Sequence, residues 1–145
     1  MEIGTCALPC EDILAALASA KSIVLATAAD GRVTTRIMSH VHDGMALYFQ
    51  TGKDSLKAQQ MRSNPHVAIH VAEYDMEGEA TLLGHPLSED NSLFSALYRE
   101  KHPQYTDLWS AYPDEIVVRV DIALVRKWRY IDGKPFIAIW QVPPR

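Results

Sequence analysis

Positive charge is scarce in this chain: 14 lysines and arginines stand against 18 aspartates and glutamates in 145 residues, a formal net charge of -4. A dedicated nucleic-acid binder needs a clustered basic excess, so that class is excluded. A small phosphorylated ligand is not, because one or two local cations suffice for it. Cysteine is scarce too. Cys6 and Cys10 cannot build a disulfide framework, and two thiols suit a reduced, cytoplasmic setting. No apolar run approaches the roughly 20 residues that span a bilayer, so no membrane partner is expected. Glu2 sits where a signal peptide carries positive charge, and Glu11 and Asp12 interrupt any apolar core, so no secretory leader is read there. Repeats, low-complexity tracts and Ser/Gly linkers are missing as well. What remains, 48% apolar and 22% charged, is the composition of a globular chain, read as one domain over 1–145 with an amino-terminal helical segment over 1–21.

Capping residues and periodicity give the order of elements. Residues 9–21 read as a helix: Pro9 suits its first turn, Glu11 and Asp12 follow where the dipole favours anions, and Ile13, Leu14 and Leu17 share a face. Short strands follow. Residues 22–27 precede the turn Asp30-Gly31, 32–40 form a second run before Asp43-Gly44, and 45–50 form a third. Residues 54–62 have helical composition, with Asp54 or Thr51 as candidate caps, and stop at Asn64-Pro65. Strands over 66–72 and 77–83 come next, then a helix capped by Ser88 that carries Leu93, Phe94, Leu97 and Tyr98. Residues 103–114 read as loop with one helical turn, ahead of strands over 115–125 and 136–142. Six or seven short strands joined mostly by turns predict a mainly β fold with flanking helices. The expected form is a closed or nearly closed antiparallel barrel, not a doubly wound parallel sheet.

One hairpin register can be worked out. A two-residue loop at Asp43-Gly44 sets His42 opposite Met45, His40 opposite Leu47, Met38 opposite Phe49 and Arg36 opposite Thr51. Arg36 then ends an apolar row and is delivered beside Thr51-Gly-Lys-Asp-Ser-Leu-Lys57, which opens a helix. Unpaired N–H groups there, the Ser55 hydroxyl, and the ammonium groups of Lys53 and Lys57 make a sound anion site, with phosphate the natural occupant. Gly52 allows close backbone approach. The same residues also read as solvated surface lysines and a strand-end arginine.

From about Ser22 to Trp128 the chain resembles the pyridoxamine 5'-phosphate oxidase-like, FMN-binding split-barrel family. Four stretches carry the likeness: Ile23-Val-Leu-Ala-Thr27 before an Asp-Gly turn, Arg36-Ile-Met-Ser39, the block from Leu47 through Ser55-Leu-Lys57 to Asn64-Pro-His-Val67, and Val118-Arg-Val-Asp-Ile122 leading to Trp128. The third is the most specific. The resemblance implies a split β-barrel with FMN as cofactor, its phosphate held by Arg36, Ser55 and Lys57. It implies that the flavin ring lies on main-chain groups of Ile37, Met38 and Ser39, near Gln50 and Thr51, across the interface of a homodimer. Trp128 matches a tryptophan that approaches the flavin in the oxidase; as a strand-end aromatic it could equally pack the core. The implied activity is that of a flavoprotein oxidoreductase, moving hydride or electrons between a reduced nicotinamide or small substrate and an acceptor. In such an enzyme the flavin carries the redox chemistry, so no catalytic side chain is nominated.

The chain departs from the oxidase proper in three places. No Arg-x-His segment follows Trp128, the carboxy-terminal signature is replaced by Trp140-Gln-Val-Pro-Pro-Arg145, and the arginine beside the phosphate-loop serine is Leu56 here. A short general-stress-protein or flavin-reductase type of member fits these differences better than an authentic pyridoxamine 5'-phosphate oxidase. A non-catalytic flavin- or haem-binding stress or storage protein is the alternative from another class. No metal site is expected: the pairs His40/His42 and His66/His70 each lack a third ligand at sensible spacing, and Cys6 and Cys10 have no second pair nearby. Glu73, Asp75, Glu77 and Glu79 read as a solvated edge rather than paired catalytic carboxylates.

Overall fold

The computed structural model describes residues 2–104 and 112–144. Its elements are β1 (Gly4–Ala7), α1 (Cys10–Ser19), β2 (Ser22–Ala29), β3 (Arg32–Ser39), β4 (Val41–Asp43), β5 (Ala46–Gly52), α2 (Leu56–Ser63), β6 (His66–Val71), β7 (Tyr74–Leu82), a 3-10 turn (Glu89–Asn91), α3 (Ser92–Lys101), β8 (Glu115–Ile131) and β9 (Lys134–Gln141). Part of the predicted loop, 105–111, lies outside the described residues.

Local chemistry sets each hairpin. Asp30 (φ 53°) and Gly31 (φ 79°) both take the left-handed conformation, the requirement of the tight turn whose twist matches its strands, and β2 pairs β3 from Ala29 opposite Arg32 to Ser22 opposite Ser39. Along β2, Ile23, Leu25 and Thr27 face inward and are buried. The sheet then runs β3-β2-β6-β7-β8. β8 is its seam. One edge pairs with β7; the other is shared, its first part (115–121) taken by β5 and its later part (124–131) by β9. A bulge between Glu77 and Gly78 shifts the β7–β8 register at the crossover, and a Cβ on Gly78 would stand 2.5 Å from the Asp121 carbonyl oxygen.

Inward residues of β2, β5, β6, β7 and β8, among them Leu25, Phe49, Ile69, Met76 and Val118, form one core closed by Ile13 and Leu17 of α1 and Met61 of α2. A second cluster joins Val41, Tyr48 and Val117 to Phe94 and Tyr98 of α3. Residues 46–49 of β5 are therefore covered on both faces, which is why the segment reads as a continuous apolar run rather than an alternation. Removing a side chain such as Phe49 from this interior costs about 3–5 kcal/mol.

The mainly β split-barrel class holds, with differences of detail. The sheet has nine strands, not six or seven. Gly4–Ala7 forms a strand ahead of the first helix and pairs β9 in parallel, Gly4 opposite Phe136. Ser88 makes no side-chain cap; the 3-10 turn precedes α3 instead. The second extended run is two strands, broken at His40. The Asp43-Gly44 loop is shifted as well: Gly44 (φ 57°) and Met45 form the turn, so Asp43 pairs Ala46 and Val41 pairs Tyr48. Glycine at the first central position suits a different turn type from the Asp-Gly loop expected, and the register slips by two residues. Slipping by two keeps every side chain on its face. Leu47 and Phe49 lie in the core with Met38 packed against it, although Met38 pairs with Ile23 and Arg36 with Leu25, not Thr51.

The break at His40 has a chemical cause. Its ring is buried, Nε2 donates to the Leu17 carbonyl at 3.0 Å, and its own carbonyl accepts from His102 Nε2 at 3.0 Å, tying α1, β4 and the end of α3 together. Burial, and then the Lys101 ammonium, push the His40 pKa down to about 4, against the Leu17 bond that favours the charged form. The unfolded chain thus binds a proton here that the folded chain refuses. Stability from this group is intact above about pH 6.5 and declines as pH falls toward 4, by roughly 3 kcal/mol in all. Urea midpoints for the wild type and His40→Gln between pH 7.5 and 4.5 check this: the wild type should lose stability more steeply, and parallel curves would contradict it.

Candidate functional site

Arg36 projects from the inner face of β3, beyond the end of the apolar core. Its Nη1 donates to the Leu25 carbonyl at 3.3 Å and to Thr27 Oγ1 at 2.7 Å, and its Nη2 donates to Thr34 Oγ1. Helix α2 lies across this end of β2, and the buried Gln60 of α2 accepts hydrogen bonds from both threonines. The same helix starts at the mouth of the corner. Ser55 caps it, its Oγ accepting from the Ala58 N–H at 3.3 Å and lying 3.1 Å from Thr51 Oγ1.

Lys57 sits in the first turn, half-buried. Burial and then the Arg36 charge lower its pKa, while Glu115 works the other way. Burial alone lowers Arg36. Glu115, at the start of β8 opposite Gly52, is raised by burial against the pull of Lys57 and His85. Glu115 Oε2, near Lys57, is buried without a hydrogen-bond partner among the described residues, and so is Gln50 Oε1, on the face of β5 opposite Thr51. Two partly dehydrated cations beside helix N–H groups bind anions, and orphaned acceptors call for a donor.

The ten residues expected at the site divide. Arg36, Ser55 and Lys57 share the corner, with Thr51 against Ser55 and Gln50 adjacent on β5. Ile37 points away from them and is 73% exposed, Met38 packs inward, and Ser39 ends the strand opposite Ser22. Lys53 is engaged by Asp114 at 3.4 Å. Trp128 lies thirteen residues along β8 from Glu115, about 40 Å of extended strand. It is 45% exposed, edge-on to Tyr130 at 5.9 Å, and so does not pack the core. Two open grooves, of about 680 Å³ between 43–46 and 142–144 and about 900 Å³ between 2–4 and 133–136, lie elsewhere and include neither Arg36 nor Lys57 in their linings.

Sequence reasoning missed Thr27, Thr34, Gln60 and Glu115. A hydroxyl at the inward phase after Ile23 and Leu25 was the available signal for Thr27, and a buried polar group implies a partner. Members of the histidine and acidic runs form ion pairs at the sheet surface. His70 pairs with Asp75 at 2.8 Å, Lys127 with Glu73 at 2.8 Å and Arg126 with Glu77, all with exposed carboxylates. His40 is the exception, being buried rather than on a strand surface.

The family profile for pyridoxamine 5'-phosphate oxidase matches residues 11–129, most of the sequence, and the chain belongs to that split-barrel family. General stress protein 26 of Bacillus subtilis (strain 168) is 41% identical over 54 residues, which are 37% of this chain and 38% of that protein, so the match spans well under half of the relative. An FAD-binding protein of Mesorhizobium loti superposes with a TM-score of 0.65 at 21% identity, over 81% of this chain and 92% of that one. HutZ, the haem storage protein of Vibrio cholerae, gives a TM-score of 0.66 at 18% identity, over 79% and 91%. These likenesses establish the fold, and one fold serving such different ligands leaves the ligand to be argued from side chains. No helix among the described residues is long and apolar enough to cross a membrane.

Glu115 places a negative charge beside the cationic corner. Glu115→Gln should therefore tighten pyrophosphate binding roughly threefold or more in calorimetric titration at low salt. Unchanged affinity would mean the carboxylate does not act on the corner.

Proposed function

We propose that the chain is an FMN-binding oxidoreductase, a homodimer that passes hydride or electrons between a reduced nicotinamide or another small substrate and an acceptor. The observation that carries the reading is the meeting of Arg36 and Lys57, two half-buried cations, at the capped start of α2. An anion arriving there relieves the repulsion between them and regains the hydrogen bonds lost to burial. Arg36, Lys57 and Ser55 would hold the phosphate. Main-chain groups of Ile37, Met38 and Ser39 would border the ring, with Gln50 and Thr51 near it. Bound FMN supplies the hydride-accepting centre; the protein binds it, orients it and sets its surroundings.

Homodimer assembly is supported by two features. Val24 and Ile37, cross-strand partners, and Val33 lie exposed on the outer face of β2 and β3, an apolar patch of the kind that contacts between chains cover. Trp128 is carried far along β8 from the corner, so in this reading it reaches the site of the partner subunit. Lys53, held by Asp114, would act at the rim.

Arg36→Ala combined with Lys57→Ala should weaken FMN binding on the order of a hundredfold and leave riboflavin binding much less affected, because only the phosphate loses partners. Equal loss of both ligands in a folded variant would contradict the assignment. An absorption spectrum separates the wider alternatives. A flavin band bleached by NADH or NADPH and restored by an acceptor supports the enzyme, a flavin band that reductant leaves unchanged supports a binding protein, and a Soret band would replace flavin by haem.

A further inference from the structure

We infer that Gln60 is a positioning residue for Arg36: through the hydroxyls of Thr27 and Thr34 it fastens one edge of the guanidinium and turns the other toward an anion. The inference rests on reading this corner as the phosphate end of a flavin nucleotide site. It follows from which groups can donate. Gln60 Nε2 donates to the Arg32 carbonyl at 3.2 Å, which fixes the amide so that Oε1 faces the threonines. Oε1 only accepts. Its contacts with Thr27 Oγ1 at 2.5 Å and Thr34 Oγ1 at 2.8 Å therefore take up both hydroxyl protons.

Each hydroxyl is left with lone pairs to offer, and that is what Arg36 needs. Nη1 donates to Thr27 and Nη2 to Thr34, so the two hydroxyl oxygens, 3.3 Å apart, face the two terminal nitrogens of the fork. The second Nη1 proton is directed to the Leu25 carbonyl at 3.3 Å. Of the five donors, Nε–H and the second Nη2–H remain, side by side on one edge of the plane, the arrangement that grips a phosphate by two parallel bonds. Burial makes the network stiff: Thr27 is 2% and Gln60 4% exposed, so water cannot take the place of a missing acceptor. Without the Gln60 carbonyl, a threonine proton has nowhere to turn but toward its neighbour or the cation, and Arg36 loses an acceptor that holds it.

Gln60→Leu removes the acceptor at similar size, and Thr34→Val does the same at a half-buried position less exposed to folding failure. The first readout needs no ligand. In the wild type, restricted rotation should give Arg36 separate Nη1 and Nη2 signals by nitrogen-edited NMR; in either variant they should average. The second is the ratio of FMN to riboflavin affinity, which should fall about tenfold in either variant and fall no further when Arg36→Ala is already present. Unaveraged signals in both variants, or an equal FMN loss in the Arg36→Ala background, would overturn the inference. If Arg36→Ala alone leaves the ratio unchanged, the phosphate reading fails, and the NMR signals then decide on their own whether Gln60 holds the fork.

Discussion

Bringing a guanidinium and an ammonium into one half-dry corner costs free energy twice, through lost hydration and through mutual repulsion. The fold meets this cost from two directions. The β2–β3 hairpin fixes Arg36 by its register with Leu25, and α2 fixes Lys57 by its cap at Ser55. Gln60 and two threonines join the two parts inside the protein. Glu115 offsets some of the charge, yet burial pushes its own carboxyl toward the neutral form. Compensation by the chain is therefore partial, and the corner retains an electrostatic demand for an anion.

The seam at β8 governs what else can reach that corner. Because β5 occupies the first part of one β8 edge, the end of β5 sets Gln50, Thr51 and Gly52 opposite Val117, Ile116 and Glu115, and Thr51 meets Ser55 at the cationic corner. Because β9 takes over the same edge later, the far end of β8 runs outward as a hairpin carrying Trp128 and Tyr130 into solvent. One strand thus runs from beside the cationic corner to an exposed aromatic arm.

Much of this was legible in the sequence, for identifiable reasons. The tight turn at Asp30-Gly31 and the helix stop at Asn64-Pro65 follow from backbone restrictions that act locally, and both elements lie where the residues place them. The cap of α2 is Ser55, not Asp54 or Thr51 as expected, a miss of one residue from Asp54. The Gly44 turn was misplaced because Asp-Gly and Gly-Met loops satisfy the same composition, and only packing of β4 against β5 separates them. Arg36 reached Lys57 by another route than the expected hairpin: β3 pairs β2, and α2 lies across that pair. β1 escaped notice because a four-residue strand draws its pairing from β9, more than a hundred residues away. Gln60 escaped for the same reason: its partners lie on other elements, and hydrogen bonding across a core leaves no local pattern.

The central claim is that Arg36 and Lys57 together take a nucleotide's terminal phosphate. A crystal structure of the protein grown with FMN tests it most directly. Phosphate oxygens should lie within hydrogen-bond distance of Arg36 Nε and Nη2 and of Lys57 Nζ. A phosphate seated elsewhere, with these two side chains bound only to protein or solvent, would contradict it.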